Sequence, residues 1–126
     1  MYKELIIYFC GLHSLFFAIF HLLFWKIFKW EKDLKKSSAP TREIIQILNL
    51  RLIYIFLFYA FLCFFFTREL LTTTLGQTTL VGLSLFWTGR TIEQFVFWKY
   101  NPLNINLVLT CMFILGAVLF AFPITY

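Results

Sequence analysis

Four long apolar runs set the terms for this chain: about residues 5–25, 44–66, 75–98 and 102–122. A bilayer core about 30 Å thick takes about 20 residues of α-helix to cross. In hydrocarbon, a backbone must satisfy its own N–H and C=O groups, so isolated runs of this kind cross as helices. The expected fold is therefore all-α: an integral membrane protein of four transmembrane helices, forming one domain over residues 1–126. Short connections reverse the chain at each end, which predicts an up-down-up-down antiparallel bundle.

Composition closes off the soluble alternative. Hydrophobic residues make up 61% of the chain and charged residues 13%, against about 45–50% and about 25% in soluble domains. A soluble domain of 126 residues has no interior large enough for eighteen Phe and four Trp. The first run is too long for the apolar segment of a signal peptide and lacks a small-x-small exit, so it is expected to remain as a span.

Charge supplies orientation. Lys26, Lys29, Lys32, Lys35, Lys36 and Arg42 lie in the connection 26–43, whereas the second connection carries Arg68 as its sole basic residue. The positive-inside rule makes the first connection cytoplasmic and places both termini on the non-cytoplasmic side. Lys99, in the third connection, agrees. The net charge of +5 is thus a topology signal, and nucleic acid is not an expected partner. The Phe, Ile and Lys bias fits an AT-rich bacterial genome, giving the bacterial inner membrane as the expected location.

Local signals mark the helix ends. Trp30 is placed to anchor the first connection at the interface. Ser38 or Ala39 is the expected N-cap of the second helix, with Pro40 or Thr41 in its first turn. Thr74 and Gln77 have capping-box spacing, predicting a third helix from near Leu75. Asn101-Pro102 opens the fourth helix and Pro123 closes it.

Helical periodicity groups the polar residues. His13, Phe17 and His21 share a stripe on the first helix, with Cys10, Ser14 and Phe24 beside it. The third helix aligns Leu83, Trp87, Arg90, Gln94 and Phe97, with Glu93 just off that face. The fourth aligns Asn106, Thr110, Phe113, Ala117 and Ala121, whose small residues suit close helix approach.

Depth then brings these groups to one level. With a rise of 1.5 Å per residue and Trp25/Lys26 as the inner edge of the first helix, His21 lies about 7 Å deep. From Trp98/Lys99, Glu93 lies about 8 Å and Arg90 about 13 Å deep. From Glu43, Asn49 lies about 9 Å and Arg51 about 12 Å deep. Asn104 and Asn106 start the fourth helix in the same slab. An Arg or Asp at a helix centre costs about 2.5–3.5 kcal/mol on insertion scales, so a shared buried network in the cytoplasmic half is expected. Its candidate members are Arg90, Glu93, Gln94, Asn49, Gln46, His21 and Arg51.

The residue types limit the chemistry. Arg90 offers a planar fork of donors that suits a carboxylate or phosphate. Glu93 and His21 are candidates for proton exchange. Gln46, Asn49 and Gln94 suit interhelical hydrogen bonds. Cys10, Cys63 and Cys111 show no ligand spacing, so no metal is expected; Cys10 and Cys63 are at similar depth, but packing is the expected role. No nucleophile accompanies a base, so no catalytic residue is assigned, and no cofactor is implied. The leading expectation is a binding or accessory protein, and an enzyme is the less expected class. Its polar cluster would hold a lipid head group, a small polar ligand or a partner's segment. Membrane lipids are the expected partners, with other membrane subunits or further copies of the chain as alternatives. Proton-coupled transport by an oligomer and modification of a lipid by a membrane enzyme are the competing expectations.

Overall fold

A computed structural model describes residues 2–23, 32, 35–97 and 103–125, with the backbone alone for residues 97, 103–106 and 125. Most of these residues lie in five helices: α1 (Tyr2–Leu22), α2 (Ala39–Phe65), α3 (Thr67–Thr72), α4 (Thr74–Phe97) and α5 (Leu103–Thr125). The described residues contain no strand. Three helical segments are long and apolar enough to cross a membrane: α1, α2 and Leu107–Ile124 within α5. α4 has 24 residues but carries more Thr and Ser, together with Arg90, Glu93 and Gln94.

α2 starts where its sequence dictates. Ser38 is the N-cap, its hydroxyl accepting from the Thr41 N–H at 3.4 Å, with Pro40 in the first turn. Pro suits that position because the first-turn N–H groups have no intrahelical acceptor. The α2–α4 connection departs from expectation. Residues 67–72 form a helical turn, α3, and the cap of α4 is Thr73, whose Oγ1 accepts from the Gly76 N–H at 2.9 Å. Gly76 then occupies the third helical position, so Thr74 and Gln77 make no capping box. Gln77 instead donates its side-chain amide to the Leu71 carbonyl at 3.1 Å. A Cβ on Gly76 would collide with the Glu69 carbonyl and lie 2.5 Å from the Leu70 Cα, so the elbow closes only around glycine.

Side-chain pairings fix the register of the long helices. α1 and α2 meet at Tyr8–Phe64 and at Asn49 against the His21 carbonyl. α1 and α5 meet at Tyr2–Phe122, Cys10–Leu119 and His13–Met112. α4 and α5 meet at Ser84–Ala117 and Arg90–Phe113. In every pair one number rises as the other falls.

The buried stripe of α1 is Ile7, Cys10, His13, Ser14, Phe17 and Ala18, matching its periodicity. α4 turns Leu80, Leu83, Trp87 and Gln94 inward. α5 is rotated from its expected face: Leu109, Phe113, Gly116, Phe120 and Pro123 are buried, whereas Thr110, Ala117 and Ala121 lie at the edge. The close approach is made by Gly116 and not by the alanines. A Cβ there would lie 2.7 Å from His13 Cε1 and 2.8 Å from Trp87 Cγ.

Pro123 does not end α5 but lies inside it. Proline has no N–H, so it removes the bond that the carbonyl four residues earlier would accept. That carbonyl belongs to Leu119, and the buried Cys10 thiol donates to it at 3.3 Å. Two further α5 carbonyls receive side-chain donors: Met112 from His13 Nε2–H and Ala117 from the Ser84 hydroxyl, both at 2.8 Å. Cys10 and Cys63 are both free and buried. Trp30, the edges at Trp25/Lys26 and Trp98/Lys99, Phe24 and the Asn101-Pro102 start lie outside the described residues, as do the side chains of Phe97, Asn104 and Asn106.

Candidate functional site

An aromatic box occupies the middle of the bundle. Trp87 of α4 is 2% exposed. Its ring lies 4.6 Å from that of Phe17 on α1, 5.7 Å from Phe56 on α2 and 5.8 Å from Phe113 on α5. The Phe56 and Phe113 rings stack on it with interplanar angles of 12° and 19°. The His13 ring stands edge-on, at 90° and 4.8 Å. Four helices thus converge on one indole. Its apolar contacts are the packing that holds helices together where lipid offers no hydrophobic drive.

Beside this box, toward the Leu22 end of α1, lies a cavity of about 90 Å³. Phe17, Phe20 and His21 of α1 line it, with Leu52 and Phe56 of α2. α4 contributes Phe86, Trp87 and Arg90, and α5 Leu109 and Phe113. Arg90 carries the one fixed charge among these residues. Its guanidinium carbon sits 4.5 Å from the Phe113 ring centroid, a cation–π distance. The ring packs against the guanidinium, a side chain whose planar N–H fork matches carboxylate and phosphate geometry.

The seven sequence candidates divide. Arg90 and His21 come together as walls of the cavity. His21 Nδ1–H donates to the Phe17 carbonyl at 2.8 Å, which fixes its ring across the cavity end. Asn49 is buried but acts on the backbone: its amide donates to the His21 carbonyl at 3.0 Å. That carbonyl belongs to the last turn of α1 as described. Asn49 therefore ties α2 to that end of α1. Gln94 is 2% exposed on the inner face of α4, one turn beyond Arg90. Gln46 is half-buried.

The other two stay outside. Arg51 is exposed on the back of α2, its guanidinium 5.9 Å from the exposed Tyr54 ring. Glu93 is exposed and does not line the cavity, but it lies close enough to Arg90 to interact with its charge. Depth along a helix says nothing of direction around it. Arg51 lies 200° from Asn49 and points away from the bundle.

Sequence reading put Phe17, Trp87 and Phe113 on its stripes without assigning them to the site, and the cavity walls that it did not single out are Phe20, Leu52, Phe56, Phe86 and Leu109. Phe86 and Trp87 stand four and three positions before Arg90, the spacing at which helical side chains meet. That spacing was the available signal, and eighteen Phe masked it. No group of three metal-ligating side chains occurs among the described residues. Comparison with family models, characterised proteins and solved structures returns no match.

Proposed function

We propose that the protein is a four-helix membrane binding protein whose aromatic cavity holds the anionic end of a ligand on Arg90. In this reading α1, α2, α4 and α5 all cross the bilayer, up-down-up-down. The basic connection is cytoplasmic and the termini lie on the other side, in a bacterial inner membrane. α4 is the most polar of the four, and its hydroxyls support its place among them. Thr78, Thr79, Thr88 and Thr91 each donate to the carbonyl four residues earlier at 2.8 Å. Hydroxyls satisfied within the helix lower the cost of facing lipid. Its outward residues Leu75, Leu85, Ile92, Phe95 and Val96 are apolar.

The observation that carries the binding role is the placement of Arg90 in a cavity otherwise walled by rings, aliphatic side chains and His21. The Arg90 guanidinium carries N–H donors of the kind that bind a carboxylate or phosphate. Charge-assisted hydrogen bonds contribute about 1.5–3 kcal/mol, equivalent to about tenfold or more in affinity. Native mass spectrometry of protein extracted in mild detergent tests this. Wild type is expected to retain an anionic lipid or small anion, Arg90→Lys to retain part of it and Arg90→Leu to lose it. Identical adduct spectra for correctly folded wild type and Arg90→Leu would remove the binding role.

A further inference from the structure

We infer that two copies of the chain pair through the face shared by α2 and α4, with Arg51 of each copy meeting Glu93 of the other. This rests on α2 and α4 both crossing the bilayer, and not on a ligand at Arg90.

Arg51 is the thirteenth of the 27 residues of α2, at the middle of the helix, and it is exposed. Among the described residues it has the Tyr54 ring at 5.9 Å and no ion pair. A cation turned toward hydrocarbon at that level is costly, and such groups pair with one another or face a bundle interior. Glu93 of α4 is also exposed, and it lies at the same level. α2 and α4 run antiparallel, and the Phe56 ring lies 5.7 Å from that of Trp87. Counting back from Phe56 to Arg51 and forward from Trp87 to Glu93 leaves a mismatch of about 1.5 Å.

The two side chains leave by the same face. On α2, Phe64 meets α1 through Tyr8, whereas Leu52 lines the cavity with Phe86 and Arg90 of α4. Arg51 falls on the Leu52 side of the inward Phe56, about 140° round and therefore outward. On α4, Ser84 bonds to α5, whereas Phe86 and Glu93 fall on the other side of Trp87, Glu93 about 120° round. Each helix carries a stripe there with one spacing: Arg51, Ile55, Phe58 and Leu62 on α2, and Gly82, Phe86, Gly89 and Glu93 on α4. Each set spans about 60°. Ile55, Phe58 and Phe86 are exposed. A Cβ on Gly82 or on Gly89 would meet nothing within 4 Å, so the packing of their own chain requires neither glycine.

A two-fold axis along the membrane normal sets α2 of each copy against α4 of the other. The stripes then meet as Arg51–Glu93, Ile55–Gly89, Phe58–Phe86 and Leu62–Gly82. Cation meets carboxylate, and two aliphatic side chains meet the two glycines, where small residues let membrane helices approach closely. The contact is self-complementary, so it closes at two copies and gives both Arg51 side chains a partner. Glu93 already interacts with the charge of Arg90 in its own chain. A carboxylate has two oxygens with about four lone-pair sites, so it accepts from a second Arg as well.

The test uses the full chain, with Cys10, Cys63 and Cys111 replaced by Ser or Ala where cross-linking is read. In membranes holding Ile55→Cys and Gly89→Cys chains together, mild oxidation should link the two kinds of chain, and Ile55→Cys alone should stay unlinked. Association is measured as energy transfer between donor- and acceptor-labelled copies in phosphatidylcholine liposomes diluted with lipid. Arg51→Gln and Glu93→Gln should each weaken it about tenfold or more. The double variant should lose little more than either, because each single change already breaks the pair. Gly89→Leu should abolish association and leave the circular dichroism unchanged. Copies that separate at every dilution, or associate regardless of Arg51→Gln and Gly89→Leu, overturn the inference. Retention of a different protein through Arg51, in place of a second copy, overturns it too. Labelling of both Ile55→Cys and Gly89→Cys by a membrane-impermeant maleimide in nanodiscs would take α2 and α4 out of the bilayer. The four-span reading then fails, and the dimer with it.

Discussion

Trp87→Ala is expected to lower the unfolding free energy by about 3 kcal/mol, the low end of the range for truncating a buried aromatic. The indole touches residues from three other helices, with Phe56 and Phe113 stacked on it and Phe17 4.6 Å away. Removing it leaves a void that those rings, fixed by their own neighbours, fill only in part. The low end applies on the proposed reading that α4 crosses the bilayer, since a separated membrane helix returns its side chains to lipid and not to water, so the loss is one of packing. Trp87→Phe keeps a ring against both stacked neighbours and should recover much of the difference. Unfolding by SDS in mixed micelles, followed by circular dichroism, measures both variants. A Trp87→Ala midpoint equal to wild type would place the indole outside the bundle core.

Gly116→Ala should have the next largest effect, about 1–3 kcal/mol, the usual cost of overpacking. Addition of one methyl is usually neutral or favourable in a helix. Here the Cβ would stand 2.7 Å from His13 Cε1, 2.9 Å from its Nε2 and 2.8 Å from Trp87 Cγ. Neither ring can withdraw cheaply. His13 is held by its bond to the Met112 carbonyl at 2.8 Å, and Trp87 by the stack. The same titration tests this, with a control: in a His13→Ala background the cost of Gly116→Ala should shrink. A cost unchanged by His13→Ala would locate the close contact elsewhere.

The two glycine and proline details of α5 show where sequence reading stops. Periodicity found the buried stripe of α1 because His13, Phe17 and Cys10 stand out against Leu and Ile. On α5 nearly every residue is apolar, so no face is marked. The small residues Ala117 and Ala121 pointed about one residue away from Gly116, the true contact. Pro123 reads as a helix stop by local rules, and the Leu119 carbonyl that it leaves without an intrahelical donor is met from another helix, by the Cys10 thiol. Counting residues from the helix ends gives a level for the polar residues and no direction. Arg90, His21 and Asn49 sit on inward stripes that their neighbours define. Arg51 and Glu93 share their depth but not their azimuth, and the cavity's walls are rings that composition renders anonymous.

The central claim is that Arg90 lies inside the bundle beside His21, walled by aromatic rings. Cysteine cross-linking in native membranes tests it most directly, in a chain with Cys10, Cys63 and Cys111 replaced by Ser or Ala. His21→Cys paired with Arg90→Cys should form an intramolecular bridge with a short bifunctional reagent, and Arg51→Cys paired with Arg90→Cys should not. A bridge between positions 51 and 90, with none between 21 and 90, would contradict the account.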